Sequence, residues 1–498
     1  MRSVVVAPGG DVHRRRSVGQ VRPHPQLSSV EPAIHWFRRD LRLTDHQALA
    51  KAGEEGRPVI GLFVLDPAIL HGPDAGRSRL AYLLEALASL DEGLRRRGSA
   101  LVIRSGDPRE VVPNLAAETG ARLVTAVRDF TPHARSRDRA VASLLARDGR
   151  SLWLSGEQLV LDPTGLPPLR TFAASRRRFH STVLEGFGPT VSAPHLLGVA
   201  ELPRSDAMPR PTQFGVRPLD RVLEAGEGAA ANRLHTFVDR RLSGYATDRE
   251  DPGADATSRL SADLHFGTIS VRTVIRAVVE AVGAVPHLAG GATRWLDQLA
   301  WRDFLAATLW HFPEVAKREY KPELRNLAWP GTSEALLAWK QGLTGYPVVD
   351  AAMRQLQAEH FMHNRCRMIA ASFLVKDLHL DWRHGESHFM RELVDGDLAN
   401  NNGGWQWVAG TGLDAQPFFR ILNPVLQGKT HDPSGAYVRR WVPEIRHLPD
   451  RYIHRPWEAT NPPAAYPERI VDHARERRVA LELYRACARP AIGNSTRS

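Results

Sequence analysis

The apolar residues of this chain keep two different periods, and the change between them falls near the middle. From residue 33 to about 165, short apolar runs alternate with helical stretches. AIHWF (33–37), PVIGLFVLD (58–66), SALVIRSGD (99–107) and ARLVTAV (121–127) are strand-like. RLAYLLEALASLDEGLRRRG (79–98), DPREVVPNLAAETG (107–120) and ARSRDRAVASLLARDG (134–149) carry apolar residues at helical spacing. Strand and helix alternating in this way argue for a parallel sheet with helices on both faces. After residue 231 the period is helical throughout, as in VRTVIRAVVEAVGA, TRWLDQLAWRDFLAATLWHF and VVDAAMRQLQAEHFMHNRCRMIAASFLVKDL. Between the two, residues 166–230 are rich in Pro, Arg, Gly and Ala with weak periodicity, and VSAPHLLGVAELPRSDAMPRPTQFGVRP (191–218) reads as a long linker.

The expected architecture is an α/β N-terminal domain with a Rossmann-like, doubly wound parallel sheet over 31–165, an interdomain linker over 166–230, and an all-helical C-terminal domain over 231–485. Residues 1–30 have Arg and Pro but no long apolar segment. That makes a poor signal peptide, and the stretch reads as a disordered basic leader or a start codon placed too early. No run approaches the ~20 apolar residues of a membrane span. Two cysteines, Cys366 and Cys487, exclude a disulfide framework and a cysteine-rich metal site, and point to the cytoplasm. The net charge of +11 suits a polyanionic partner such as nucleic acid, although an Arg-rich proteome would give the same charge.

No GxGxxG follows the first strand, so the α/β layer does not hold a dinucleotide in the usual way. The loop after that strand, RRDLRLTD (38–45), is its site-like feature. Four stretches in the helical half could carry chemistry. DGDLANNNGGWQW (395–407) places Asp395, Asp397 and three Asn beside two indoles. A hard cation fits poorly, because only two acidic ligands are present and no Glu closes the set. A polar cap and turn explains the Asp and Gly but not the indoles, and a buried polar cofactor such as a flavin would explain both. TSRLS (257–261) converges hydroxyls, backbone N–H groups and one guanidinium, as a phosphate requires, or as an ordinary N-cap does. HFMHNRCRMIAASF (360–373) puts Asn364 and Met368 on one helix face, with Arg365 and Arg367 pointing elsewhere and His360 and His363 as helix-face residues. WLDQLAWRDF (295–304) puts Gln298 beside Trp301, an amide next to an indole, which suits a flat polar ring or simple surface packing. Trp329, Trp382, Trp405 and Trp407 fall on separate helical segments or their ends.

Together these stretches resemble the photolyase/cryptochrome family, closest in pattern to its cyclobutane-dimer photolyases. The likeness runs from WFRRDLRLTD (36–45) through TSRLSADLHFGTIS (257–270), TGYPVVDAAMRQL (344–356), MHNRCRMIAASFLVKDLHLDWRHGE (362–386) and DGDLANNNGGWQWVAGTG (395–412) to NPVLQGKTHDPSGAYVRRWVPE (423–444). It implies an α/β antenna domain, a long linker and a helical domain holding FAD. Tyr245, Thr257, Ser258, Arg259, Leu260, Ser261, Trp295, Arg302, Arg367, Asp395, Gly396, Asp397 and Asn401 then contact FAD, with Asn401 facing flavin N5. Trp405, Trp382 and Trp329 form a relay of single electrons, Trp405 nearest. Arg249, Gln298, Trp301, Asn364, Arg365, Met368, Trp407 and Gln427 contact the lesion or its strand.

The resemblance also implies a reaction. Arg-lined surface docks UV-damaged DNA, the dimer flips into a pocket over the flavin, and an electron from light-excited reduced FAD splits it. Catalysis falls to Trp405, Trp382, Trp329, Asn401 and Gln298, without a metal. Members that repair (6-4) photoproducts carry His at the positions of Asn364 and Met368, whereas those that split cyclobutane dimers carry Asn and Met. The latter usually have Glu where this chain has Gln298, which implies slower repair or an atypical subgroup. RDFTPHARSRD (128–138) has His133 and Ala134 where folate-binding members have Asn-Glu, so the resemblance favours an 8-hydroxy-deazaflavin, or a flavin, over folate as the antenna, with an empty site as the alternative. A monomer is expected. The alternative is a cryptochrome-type blue-light receptor, which the absence of a long tail after the helical domain disfavours.

Overall fold

The computed structural model describes residues 31–217 and 223–488; the stretch 1–30 read as a leader lies outside them. Five parallel strands form one sheet: β1 (Ala33–Phe37), β2 (Val59–Leu65), β3 (Val102–Ser105), β4 (Leu123–Val127) and β5 (Ser151–Ser155), in the order β3-β2-β1-β4-β5. Every residue of β1 and β2 is buried. These strands sit at the sheet centre with helices on both faces, which is why their sequences are continuous apolar runs rather than alternating ones. Helices α1 (Gln47–Ala52), α2 (Arg77–Arg95), α3 (Pro108–Thr119) and α4 (Pro132–Arg147) connect and cover them. Asp107 and Thr131 cap α3 and α4, each followed by Pro at the first helical position. The sequence reading gives four strands. The fifth, SLWLS, is a half-exposed edge strand with Trp153 facing out, too short and too polar to announce itself as an apolar run.

The stretch 166–230 is not bare linker. Thr171 caps a helix, α5 (Phe172–Glu185), that buries Ser175, Phe179 and Val183. Three Arg in its middle dilute the apolar period, and packing against the helical half decides its fold. Farther on, the Val59 N–H donates to His195 O and the Leu197 N–H to Val59 O, while Asp206 bonds the backbone of Ile103 and Ser105 at the sheet edge. The connection is thus tied to β2 at His195 and Leu197 and to β3 at Asp206.

Among the described residues, helices and short turns account for the rest. Those that build the site are α6 (Glu227–Arg240), α7 (Ser261–Phe266), α8 (Val271–Ala284), α9 (Ala289–His311), α10 (Pro347–Glu359), α11 (Asn364–Ser372), α12 (Trp382–Glu392) and α13 (Leu398–Ala409). Beyond them lie α14 (Pro424–His431) and α15 (His473–Ala488). His360 and His363 are not helix-face residues: His360 closes α10 in the left-handed region at φ 47°, and His363 caps α11 by accepting from the Arg365 N–H. A π-helical turn, Phe373–Asp377, extends α11.

Candidate active site

The order of the sheet reverses between β1 and β4, and in open α/β sheets that point opens a crevice beyond the carboxyl ends of the strands. Here ion pairs fill it. Arg38 Nη1 donates to Asp138 at 2.6 Å, Arg137 reaches the same carboxylate at 3.0 Å, and both guanidinium groups lie over Trp36. The loop is anchored from below by His35 and His46, whose Nε2 atoms lie 3.0 and 3.1 Å from Asp40 Oδ2, and by Glu157, which meets His46 Nδ1 at 2.9 Å. Among the described residues, His35, Asp40 and His46 are the one group with metal-ligand spacing, and their atoms are engaged with one another. Burial first, then the neighbouring His46, lowers His35 to about 4.

Held in this way, the loop sends Arg39 out of the α/β half into a cavity of about 560 Å³ among the helices. Arg39 Nη2 donates to Asp397 at 2.5 Å, and Nη1 lies 3.8 Å from Asp129 in the loop after β4. Asp397 caps α13, accepting from the Asn400 N–H and side-chain amide at 2.9 and 2.8 Å. Burial alone would raise its carboxyl, but Arg39 and His265 overcome that and hold it well below the usual range. Burial and the Arg39 charge lower His265 itself to about 4, so it lines the cavity as a neutral ring. Asp395 pairs with Arg367 at 2.9 and 3.1 Å, and that guanidinium, with help from Ser261, keeps the buried carboxyl ionised. The Arg79 guanidinium lies directly against Gly396, 2.3 Å from where a Cβ would stand.

The three consecutive Asn are divided by the helical turn. Asn400 closes the cap. Asn401 lines the cavity, and its Nδ2 donates to Glu386 O at 2.9 Å, which fixes the amide and leaves its Oδ1 unengaged by that bond. Asn402 turns inward and donates to Glu386 Oε1 at 2.9 Å. Burial raises that Glu to about 7. Trp405 follows one turn on, buried among Phe389 and Trp339, with its ring pressed on Gly385; a Cβ there would stand 2.0 Å from it.

Helix α9 supplies the opposite wall. Trp295, Gln298 and Arg302 recur at helical spacing and line the cavity, as does Trp301. The Trp295 Nε1–H reaches Ser258 Oγ at 3.3 Å, and Arg302 ties Gln158 O and Leu264 O together at 2.7 and 3.1 Å. The segment Thr257–Ser261 wraps the end, with Arg259 in the left-handed region at φ 54° and its guanidinium over Phe361. The mouth carries Arg249, Asn364, Arg365, Met368 and Trp407; Asn364 Nδ2 lies 3.8 Å from Met368 Sδ, and Arg365 pairs with Glu250. Arg365 and Arg367 do not point away from this site, as a bare helical wheel suggests, because α11 starts at the rim and both reach around it. Trp301 is stacked on one face by Phe172 at 3.7 Å, which leaves a single face for a ligand.

Of the residues singled out by sequence, the cavity gathers Tyr245, Thr257, Ser258, Arg259, Leu260, Ser261, Trp295, Gln298, Trp301, Arg302, Asn364, Arg365, Arg367, Met368, Asp395, Gly396, Asp397, Asn401, Trp405, Trp407 and Arg249. Three are not part of its lining. Gln427 sits on α14 with Oε1 buried and unpartnered. Trp382 is fully buried in the apolar cluster that also holds Trp405, and Trp329, in a loop rather than a helix, packs half-buried against the same cluster. Arg39, His265 and Phe361 line the cavity without having been foreseen. Each lies in a stretch the sequence marks, RRDLRLTD, TSRLSADLHFGTIS and HFMHNRCRMIAASF, but is not singled out there as a residue.

The donor set fits a long ligand with an apolar ring and a polar, anionic chain. Carboxylates paired with Arg, an oriented amide and Trp405 flank one region, and hydroxyls and backbone flank the other. Residues 33–194 match the family model "DNA photolyase" and residues 295–486 match "FAD binding domain of DNA photolyase". A deoxyribodipyrimidine photo-lyase of Streptomyces griseus is 40% identical over 89% of this chain and 97% of its own. The crystal structure of a bacterial class III photolyase from Agrobacterium tumefaciens superposes with a TM-score of 0.84 at 36% identity, covering 93% of this chain and 99% of that one. A Synechocystis cryptochrome gives 0.84 at 29% identity, covering 91% and 99%.

Proposed function

The chain belongs to the DNA photolyase family, and we propose that it is a light-driven lyase that binds FAD and splits cyclobutane pyrimidine dimers in UV-damaged DNA. The observation that carries this reading is the juxtaposition of Asn364 and Met368 with Gln298, Trp301 and Trp407 at the rim of the cavity whose floor holds Asn401 and Trp405. When bound, FAD supplies a light-excitable electron donor. Asp395, Asp397, Arg367, Arg39 and the Thr257–Ser261 segment would hold it. Asn401 would present its oxygen to the ring edge, because its Nδ2 is occupied by Glu386 O. Trp301 and Trp407 would flank a flipped-out pyrimidine dimer and exclude water. Gln298 would donate an amide hydrogen bond to a pyrimidine carbonyl; its Nε2 makes only a long 3.5 Å contact to Arg294 O and is available. Trp405, Trp382 and Trp329 would relay electrons into the cavity.

The test is illumination of the reduced protein with dimer-containing and (6-4)-containing oligonucleotides, followed by product analysis. Restoration of the dimer substrate alone is expected; restoration of the (6-4) substrate alone, or of neither, overturns the reading. The second reading, a cryptochrome-type receptor, is favoured by Gln298 and predicts neither product. An 8-hydroxy-deazaflavin antenna near His133 and Ala134 is part of the proposal, as are a monomeric state and a cytoplasmic location. No helix among the described residues is long and apolar enough to cross a membrane.

A further inference from the structure

Glu319 lies outside the cavity, 2% exposed at its side chain, in the turn that follows α9. Its Oε1 accepts the Trp382 Nε1–H at 3.0 Å. Arg383 Nη2 lies 2.9 and 2.8 Å from its two oxygens and also sits over the Trp382 ring, with Cζ 4.8 Å from the centroid. Arg383 Nη1 turns away to Asp381, the cap of α12, at 3.1 and 2.9 Å. Two other buried indoles use neutral acceptors: Trp339 donates to Ala370 O and Trp295 to Ser258 Oγ. Trp382 is thus a fully buried indole whose N–H points at a carboxylate.

Burial of a carboxylate is costly, and an indole that stays neutral needs no charged acceptor. The arrangement makes sense if the ring becomes charged. An indole that loses an electron is a cation whose N–H is strongly acidic, and a carboxylate at hydrogen-bond distance stabilises that cation and can receive its proton. Arg383 over the ring opposes this, but it stands farther off than Glu319 and its charge is already shared between Glu319 and Asp381. The place of Trp382 agrees: Gly385, one turn along α12, is the residue against which the Trp405 ring is pressed, so one helix face joins the two indoles.

We propose that Glu319 is the positioning residue of the electron path, a charge-assisted partner that makes Trp382 easier to oxidise and takes up its proton. The proposal rests on the reading of Trp405, Trp382 and Trp329 as a relay. Bound FAD would supply the light-driven oxidant, and Trp405, once oxidised, would take one electron from Trp382. As Trp382 is oxidised its Nε1–H bond breaks and a bond from that proton to Glu319 Oε1 forms. An electron from Trp329 then restores Trp382, the proton returns to Nε1, and an external thiol reduces Trp329.

The test uses the full, flavin-loaded chain. In the dark, the indole N–H resonance of Trp382, assigned by its loss in Trp382→Phe, is expected to move upfield in Glu319→Gln, because the charge on its acceptor is gone. After a blue flash, the yield of long-lived tryptophan radical is expected to fall about tenfold in Glu319→Gln, the factor that one charge-assisted hydrogen bond is worth. Glu319→Asp keeps the charge and should lose less; it also serves if the Gln variant does not load flavin. An unmoved resonance, an unchanged radical yield, or equal losses in Asp and Gln would overturn the proposal. Failure of the relay itself is read separately: a Trp405→Phe protein that photoreduces normally removes the relay, whereas a defective Trp405→Phe with a silent Glu319→Gln removes only the role of Glu319.

Discussion

Arg39 and Asp397 meet at 2.5 Å across more than three hundred residues of sequence, one from the loop after the first strand and the other at the cap of the helix that carries Asn401. The pair ties the α/β half to the cavity floor and sets the charge there. Removing the guanidinium leaves a largely buried carboxylate that has lost its directly bonded cation and keeps Asn400, His265 and the more distant Arg79 and Arg302. Arg39→Met is expected to destabilise the chain by about 2 kcal/mol, less than a fully buried pair would lose because both side chains keep some exposure. Flavin occupancy after purification should fall with it. Thermal unfolding and the ratio of flavin to protein absorbance check this, and a variant equal to the parent in both would show that the clasp is dispensable.

Trp405 lines the cavity and belongs to the same apolar cluster as Trp382, so in the proposed relay it is the last indole an electron from Trp382 crosses. A phenyl ring is harder to oxidise than an indole, and rates fall tenfold for each ~1.4 kcal/mol of added barrier. Trp405→Phe should slow photoreduction of the oxidised flavin by at least about that factor, measured as the loss of its blue absorbance under illumination with a thiol present. The ring lies on Gly385 without room to spare, so Gly385→Ala should displace it and slow the same process; normal photoreduction in both variants would place the entry point elsewhere.

The sheet and the main helices of the cavity are legible in the sequence because each carries its own period. What escaped depended on distant partners. Helix α5 has three central Arg residues and holds its place by packing on α9, and SLWLS becomes a strand only because β4 offers it an edge. The cavity-lining residues at 395–405 announced themselves as polar groups with no purpose in an apolar setting. Glu319 gives no such signal, since a single Glu in a charged stretch looks like solvated surface, and RRDLRLTD marks a site without saying which of its Arg residues leaves the α/β half; only the chain's path shows that Glu319 is buried against an indole and that Arg39 enters the cavity.

Lys376, in the π-helical turn, is a second buried charge with a measurable consequence. Its Nζ donates to Ala409 O at 3.2 Å and Phe418 O at 3.1 Å and stands over the Tyr484 ring, so no carboxylate compensates it. Burial, with Lys321 nearby, lowers it to about 7, against ~10.4 in the unfolded chain. Between those values the unfolded chain binds more protons than the native one, so this group makes stability rise with pH from about 7 toward 10. Denaturant midpoints at pH 7 and 9 should separate in the parent and draw together in Lys376→Met. An equal separation in both would mean that the ammonium keeps its proton in the fold.

Gln298 faces the cavity mouth beside Trp301, with an amide that can donate to a pyrimidine carbonyl but cannot give up a proton to it. A carboxylic acid at the same place could do both, holding the carbonyl before electron transfer and neutralising the charge that develops on it afterward. The chain has what such a group needs: Trp301 and Phe172 exclude water on one side, and no ion pair engages Gln298. An introduced Glu would lie near Glu250 and Asp297, which surround the adjoining hollow together with Arg249 and Arg294. Those two carboxylates would favour the protonated, donating form and the two guanidinium groups would oppose it, so the pH profile reads the balance directly. Gln298→Glu is therefore expected to raise the yield of dimer splitting per absorbed photon by a few-fold, and to leave binding of damaged DNA at low pH nearly unchanged. Above the pKa of the new group the advantage should vanish, because an ionised carboxylate would repel the charged carbonyl. The check is the pH profile of repair yield in both proteins: the parent should be flat where the variant falls, and a variant no better than the parent at any pH would mean that the amide already supplies all the stabilisation this site can use.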